Sequence, residues 1–352
     1  MALTDKLTAI GDAIRTKTGG TDPIALADMP AQIEGISGGG FPNGTEWKRS
    51  NIAATMSVVY HANGIWVAGG MLDGLYYSTD GMNWTHSNIT SGKVNDVYGA
   101  DGVWVACIAS GDNNGVYYST DGKTWEQYST INIYAYKMVR KYENVWFLGR
   151  DGVGSYYSTN GKDWVLVDSC GNLCCYGNGV WVSVASNASL GIMYSTDGIA
   201  WNTSNIQSGN PASPIRPCFY GDGLFVCAAS GIYYSTDGMN WTMSNVTSSW
   251  ISSIYYANGV WVADASNSLY YSTDGMNWTR SAVSIGAINS VYNANGVWVA
   301  ATSTGLSYST DGINWTKSNI QSGTYRSVYN ANGVWVAASA SGLYYSPTWL
   351  PS

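Results

Sequence analysis

One spacing constrains this chain more than any other property. Tryptophans recur at Trp47, Trp84, Trp125, Trp164, Trp201, Trp241, Trp278 and Trp315, always 37 to 41 residues apart, most of them inside near-copies of the phrase STDGxNWT. A period of that length marks a repeated supersecondary unit too small to fold alone. Each unit holds four runs of four to six residues rich in Val, Tyr, Trp and Thr, as in "WTRSA", "INSVY", "GVWVAA" and "GLYYS". Runs of that kind predict short β-strands. The links "NANG", "GDG" and "STDG" between them predict tight hairpins, because Asn and Gly accept positive φ.

A twisted sheet of four short strands cannot cover both of its faces, so the units are expected to stack radially with Trp and Tyr between neighbours. The predicted fold is therefore all-β: an eight-bladed β-propeller of four-stranded antiparallel blades. Seven unit junctions are intact, at Ser78, Ser119, Ser158, Ser195, Ser235, Ser272 and Ser309. An eighth is split between Ser346 and Trp47, so one blade takes its outer strand from the N-terminal side and its other three from the C-terminal side. An open solenoid is the competing arrangement, and a seven-bladed ring the alternative count. With 352 residues, 45% apolar and 14% aromatic, the assembled units can bury a large core.

Only 11% of residues are charged and the net charge is -7, which argues against nucleic acid and against an anionic membrane surface as partners. No run of 18 apolar residues occurs, so membrane insertion is not expected, and the opening "MALTDKLTAIGDAIRTKTGG" lacks the pattern of a secretory signal. Of the six cysteines, Cys107 and Cys227 fall where sister units carry Ala or another small apolar residue, and Cys174 and Cys218 replace Val or Ile. Buried free thiols are the expectation. His61 and His86 are the only histidines and have no Cys or carboxylate at ligand spacing, so neither a metal nor a cofactor is expected.

The phrase "YSTDGMNWT" resembles the Asp-box, or BNR repeat, of sialidases and other propellers, with a loop one residue shorter and Asn160 in place of Asp in the third copy. The resemblance implies a structural role, away from any catalytic face, for Asp80, Asp121, Asp197, Asp237, Asp274 and Asp311. A carboxylate that accepts turn amides is the physical counterpart. The sequons at Asn83, Asn240, Asn277 and Asn314 fall in the same turns and are read as turn chemistry. Residues 1–36 are different in kind. Leu3, Leu7, Ile10 and Ile14 share one helical face, and a Gly-rich linker, 37–42, separates this segment from the propeller at 43–352. The segment resembles the N-terminal module of tail-tip and fibre proteins from phages and prophages of Gram-positive bacteria. That resemblance implies a module anchored to tail or baseplate proteins on a virion tail. The apolar stripe of so short a segment equally allows it to bury against copies of itself, and without a secretory signal the protein is expected to be made in the cytoplasm and to act outside the cell.

Comparison of the units shows which parts change. The "NANG" and "STDG" links are nearly constant, whereas the inter-blade links ("NITSGKVND", "STINIYAYK", "SNIQSGNPASPIRP") and the second-to-third links ("ASGDNNG", "SNASLG") differ from copy to copy. In an up-and-down blade these classes emerge on opposite faces, so one face is uniform and the other carries eight different sets of side chains, as a binding face requires. Where the inner strand begins on that variable face, a column reads Ser57, Asn95, Lys137, Asn172, Arg216, Ser252, Asn289 and Arg326. As a ligand ring it offers Lys137, Arg216 and Arg326 to anionic groups, with Tyr136, Trp250 and Tyr325 as flat surfaces for sugars. The same polar column also follows if the channel mouth is simply wet.

A sialidase-like glycosidase needs an arginine cluster, a Tyr paired with Glu and a further acid on one face. Glu34 lies in the anchor, Glu46, Glu126 and Glu143 fall on the scaffold side, and only Asp96, Asp151 and Asp264 remain as candidates on the variable face. The sequence reading is thus a non-enzymatic tail receptor-binding protein that recognises a host cell-surface glycan. A tail-associated glycan hydrolase and a propeller adhesin or scaffold without catalysis are the alternatives.

Overall fold

The computed structural model describes residues 44–109, 114–128, 136–150, 155–167, 173–184, 191–206, 217–228, 231–247, 251–265 and 268–347. The predicted N-terminal helix lies outside them. A short strand, β1 (Lys48–Arg49), comes first, and the first whole blade follows as β2 (Met56–Ala62), β3 (Ile65–Gly70), β4 (Leu75–Ser78) and β5 (Thr85–His86). These four pair in sequence order as an antiparallel sheet, and the motif repeats to give eight four-stranded sheets. The eighth sheet has the order β1, Gly342–Pro347, Val334–Ser339, Tyr325–Ala331, with Lys48 opposite Tyr345 and Arg49 opposite Tyr344. The ring is closed by joining the two ends of the chain in one blade, as the split junction requires.

Eight buried apolar clusters form, each drawn from two adjacent blades. In one, Trp66 and Ala68 of the first blade meet Val336 and Ala338 of the eighth; in the next, Val67 and Leu75 meet Trp104 and Ala106 of the second. Second-strand tryptophans are the largest fully buried side chains, including Trp66, Trp104, Trp146, Trp261, Trp298 and Trp335, and truncating one to Ala is expected to cost about 3–5 kcal/mol. The first-to-second hairpins turn as read: Asn63, Asp101, Glu143, Asn178, Asp222, Asn258, Asn295 and Asn332 all have φ between 47° and 51°.

The third-to-fourth turn explains STDG residue by residue. Ser78 Oγ accepts from Gly81 N (2.9 Å) and donates to Asp80 Oδ1 (2.9 Å), which in turn accepts from Met82 N and Asn83 N (both 2.8 Å). Gly81 sits at φ 75° against the Trp66 indole, so any side chain there meets both strain and a wall. In the third copy Asn160 Oδ1 accepts from Lys162 N and Asp163 N at the same 2.8 Å, so the turn needs the oxygen and not the charge. The eighth turn is assembled from both chain ends: Gly44 N donates to Ser346 Oγ (3.0 Å) and Trp47 Nε1 to Gly44 O (2.8 Å).

Just beyond the outer strand an asparagine reaches across to the next blade. Asn88 Nδ2 donates to Trp125 O (2.8 Å) while Asn88 Oδ1 accepts from Trp125 N (2.8 Å). The same pair of hydrogen bonds joins Asn51 to Trp84, Asn205 to Trp241, Asn245 to Trp278 and, across the closure, Asn319 to Trp47. The recurring "SN" of WTxSN is therefore an outer-rim fastening between blades.

The cysteine expectation needs correction. Cys218 and Cys227 are direct cross-strand partners and form a disulfide; Cys107 and Cys175 are buried and free. Column alignment gives four of the six cysteines a slot, Cys218 and Cys227 among them, but carries no information on which slots face one another.

Candidate functional site at the channel mouth

The inner strand of each blade begins on the face of the variable links, which meet there: Met71 N donates to Thr55 O (2.8 Å) and Ala109 N to Lys93 O (2.8 Å). At that start the pairing slips by one residue. Met56 lies opposite Gly70 but Val58 opposite Gly69, so Ser57 is the extra residue of a β-bulge. The same slip falls on Asn95, Lys137, Ser252, Asn289 and Arg326. The polar column read from sequence is thus a ring of bulge residues, and a bulge re-aims its side chain out of the ladder.

Those side chains reach the neighbouring blade. Ser57 Oγ donates to Val94 O (2.6 Å), Asn289 Nδ2 to Tyr325 O (2.7 Å) and Arg326 Nη1 to Met56 O (3.3 Å), and Ser252 Oγ lies 3.0 Å from Ile288 O. In every case the acceptor is the carbonyl just before the next blade's bulge. The residue must carry a donor for that bond, which accounts for its polarity without a ligand. Tyr325, expected as an open ring face, is 2% exposed and packs edge-on against Tyr344. It shares a column with Met56, Val94, Ile251 and Ile288, all buried. Tyr136 and Lys137 lie on an inner strand whose first side chains are outside the described residues, as are Asn172, Arg216 and Trp250.

Three residues further along the inner strand stands a column that the sequence reading passed over. Phe219, Tyr255, Tyr292, Tyr329, Tyr60 and Tyr98 form a continuous aromatic arc, with successive ring centroids 4.9, 5.7, 4.6, 4.7 and 4.7 Å apart. Burial first, and then the neighbouring Tyr329 and Tyr98, push the Tyr60 hydroxyl far above its ordinary pKa; it stays protonated. The repeated Tyr three residues before the positive-φ residue of most first-to-second hairpins, as in Tyr60 before Asn63 and Tyr329 before Asn332, is the signal that would have revealed it. The arc surrounds a central cavity of about 530 Å³ that also reaches the serines Ser252, Ser253, Ser290 and Ser327, a size within the range of roughly 300–1,000 Å³ for small-ligand sites.

The third blade breaks the arc. Where five of its sisters have Tyr, the fifth blade Phe219 and the fourth Cys175, it has Arg140, over the Tyr98 ring at 5.5 Å, and the preceding blade answers with Asp96 where the first has Val58. Arg140 Nη1 lies 2.6 Å from Asp96 Oδ2 and 2.6 Å from Val139 O. Asp96 also accepts from Val97 N and Val139 N (both 3.0 Å). Burial alone would lower the guanidinium pKa, but the adjacent Asp96 raises it; burial pushes the Asp96 carboxyl up against Arg140 and the two amides. Both Arg140 contacts use Nη1, so its Nε and Nη2 hydrogens have no protein acceptor among the described residues, and a third of the side chain, 34%, is open to the cavity. An arginine edge beside tyrosine hydroxyls is a seat for an anionic or hydroxylated group.

The aspartates considered for hydrolysis are placed apart. Asp96 belongs to the second blade and Asp264 to the sixth, half a ring away. Asp264 is 3% exposed, 2.7 Å from Ser252 Oγ and accepts from Ile288 N (3.0 Å); burial raises its carboxyl above the usual range. Asp151 lies outside the described residues. His61 packs on Trp66 and His86 on Tyr76.

No family model matches the chain, and no curated protein matches it by sequence. Solved structures match by shape. The computationally designed Ika8 protein superposes with a TM-score of 0.65 at 11% identity, covering 88% of this chain and 100% of its own. Saccharomyces cerevisiae Sqt1 gives 0.63 at 9% identity over 89% and 100%, and BamB from Moraxella catarrhalis 0.62 at 8% over 87% and 99%. At such identities the likeness is one of fold, and the fold is that of an eight-bladed β-propeller.

Proposed function

We propose that this protein is the receptor-binding protein of a phage or prophage tail, and that its propeller holds a host cell-surface glycan at the channel mouth without cleaving it. The observation that carries the binding reading is Arg140, the one cation in the tyrosine column, set in a cavity of sugar size with Nε and Nη2 donors that have no acceptor among the described residues. Tyr60, Tyr98 and Tyr329 line the cavity beside it, and the guanidinium takes a carboxylate or phosphate on the sugar. Attachment to the tail rests on the resemblance of residues 1–36 to tail anchoring modules. The chain also enters the ring at Gly44, in a turn on the uniform face, opposite the variable links.

The test is an array of acidic and neutral bacterial surface glycans probed with the intact chain, scored for retention and for new reducing ends in the same wells. Saturable retention of acidic glycans, lost in Arg140→Gln and kept in Asp274→Asn on the opposite face, supports the proposal. New reducing ends make the protein a depolymerase instead, and retention unaffected by Arg140→Gln removes the channel mouth as the site.

A further inference from the structure

Three of the six cysteines meet at one place. The sulfurs of Cys175, Cys218 and Cys227 all lie within 4.8 Å of one another, although Cys175 belongs to the fourth blade and the other two to the fifth. Within the repeat this is a joint change: Cys175 stands in the tyrosine column of Tyr60, Cys218 in the valine column of Val59 and Cys227 in the alanine column of Ala68. Their shared surroundings are apolar, with Val182, Val184 and Phe225 in the same cluster, and no His, Asp or Glu among the described residues joins the group. One wall opens: Cys218 is half-buried and lines the central cavity beside Pro217 and Phe219.

We infer that, once the Cys218–Cys227 bond is reduced, the three cysteines form a three-coordinate site for a soft monovalent cation, copper(I). Sulfur-only donor sets select soft ions, and the lack of a nitrogen or oxygen donor disfavours zinc, which takes four ligands. A metal–thiolate bond of about 2.3 Å sets three sulfurs around one ion about 4 Å apart. The sulfurs already fall within 4.8 Å, and the 4.1 Å between the Cα atoms of Cys218 and Cys227 leaves room for theirs to separate by side-chain rotation alone. The chemistry balances in two steps. A phosphine breaks the sulfur–sulfur bond, gives up two electrons and becomes its oxide, water supplying the oxygen and the two thiol protons. Copper(I) then forms three bonds to sulfur and displaces the three thiol protons. The cavity is the path by which the ion reaches Cys218, and the bound ion ties the inner strands of two blades together.

The experiment titrates the phosphine-reduced full-length protein with copper(I) under anaerobic conditions against a chromophoric copper(I) chelator. Wild type is expected to take one ion per chain in competition with the chelator, with sulfur-to-copper charge transfer in the ultraviolet and a raised Tm. Mass mapping after alkylation should show Cys175, Cys218 and Cys227 protected by copper. Cys175→Ser is expected to weaken the site by more than the roughly tenfold that loss of an outer-shell partner costs, and Cys107→Ser to leave it unchanged. Equal alkylation of the three thiols with and without copper in wild type, or wild-type affinity in Cys175→Ser, overturns the inference. The mapping needs no variant, so a folding defect in Cys175→Ser cannot obscure the result.

Discussion

Each blade has two ends, and aspartate behaves oppositely at them. On the uniform face the turn carboxylates are surrounded by donors. At Asp274 the side-chain and backbone bonds from Asn277 come first, followed by Met276 N and Ser272, and together they hold the carboxyl well below its ordinary range. On the variable face Asp264 is buried beside a serine and one amide, and its carboxyl is raised. The difference teaches that the turn anion is supported by local backbone in any copy of the repeat, whereas a buried anion depends on a partner supplied by another blade.

The strongest way to break that contrast is to remove a partner. Arg140→Ala leaves Asp96 buried and unpaired and is expected to cost roughly 3 kcal/mol, the low end for a broken buried pair because part of Arg140 reaches water. The double variant Asp96→Val with Arg140→Tyr, which restores the residues of the first blade, should recover most of that loss in urea unfolding. A double variant no better than Arg140→Ala would show that the pair contributes more than mutual compensation.

A smaller effect is expected at the turns. Asp274→Ala removes the acceptor for two amides and a hydroxyl and should cost about 1–2 kcal/mol. Asp274→Asn should cost less, about 0.5–1 kcal/mol: it keeps the two backbone bonds, which Asn160 makes in the third copy, and loses the exposed bond from Asn277 Nδ2. A large loss in Asp274→Asn would mean that the charge itself matters.

The smallest effect is in the pH dependence, and its sign differs at the two ends. Asp311 is held down to about 2 by its turn: burial works the other way, and the Asn314, Ile313 and Ser309 bonds outweigh it. Its contribution is complete above the unfolded carboxyl value of about 4 and is lost as pH falls toward 2. Asp264 is raised, so the folded state holds its proton longer than the unfolded chain, and stability falls as pH rises from the unfolded value through the folded one. Asp264→Asn should flatten the slope above pH 4 and leave the acid limb unchanged in thermal melts. A steeper slope after the substitution would contradict the burial argument.

Much of this was legible in the sequence, and what was not has a common cause. The period, the four strands, the positive-φ hairpins at Asn63 and its equivalents and the split blade all follow from local pattern. The meaning of the polar column did not, because alignment locates Ser57 and Arg326 but not the one-residue slip in pairing that makes them bulges. Asp96 and Arg140 stand 44 residues apart, and Cys175 meets Cys218 only through the contact of two sheets. Tyr325 could have been placed correctly, since Met56, Val94, Ile251 and Ile288 share its column. Interactions between blades escape a reading made within one repeat.

The closure has a mechanical consequence. Tension arriving from the N-terminal side enters the ring at Gly44, whose amide is bonded to Ser346 in the eighth blade, and passes at once to Trp47, whose backbone N–H and carbonyl are both bonded to Asn319 of the seventh. Load is thus shared between two blades within four residues of the attachment point. Because the blades form a loop, it then spreads around the ring in both senses, and no single interface lies in series with the whole pull as it would in an open stack.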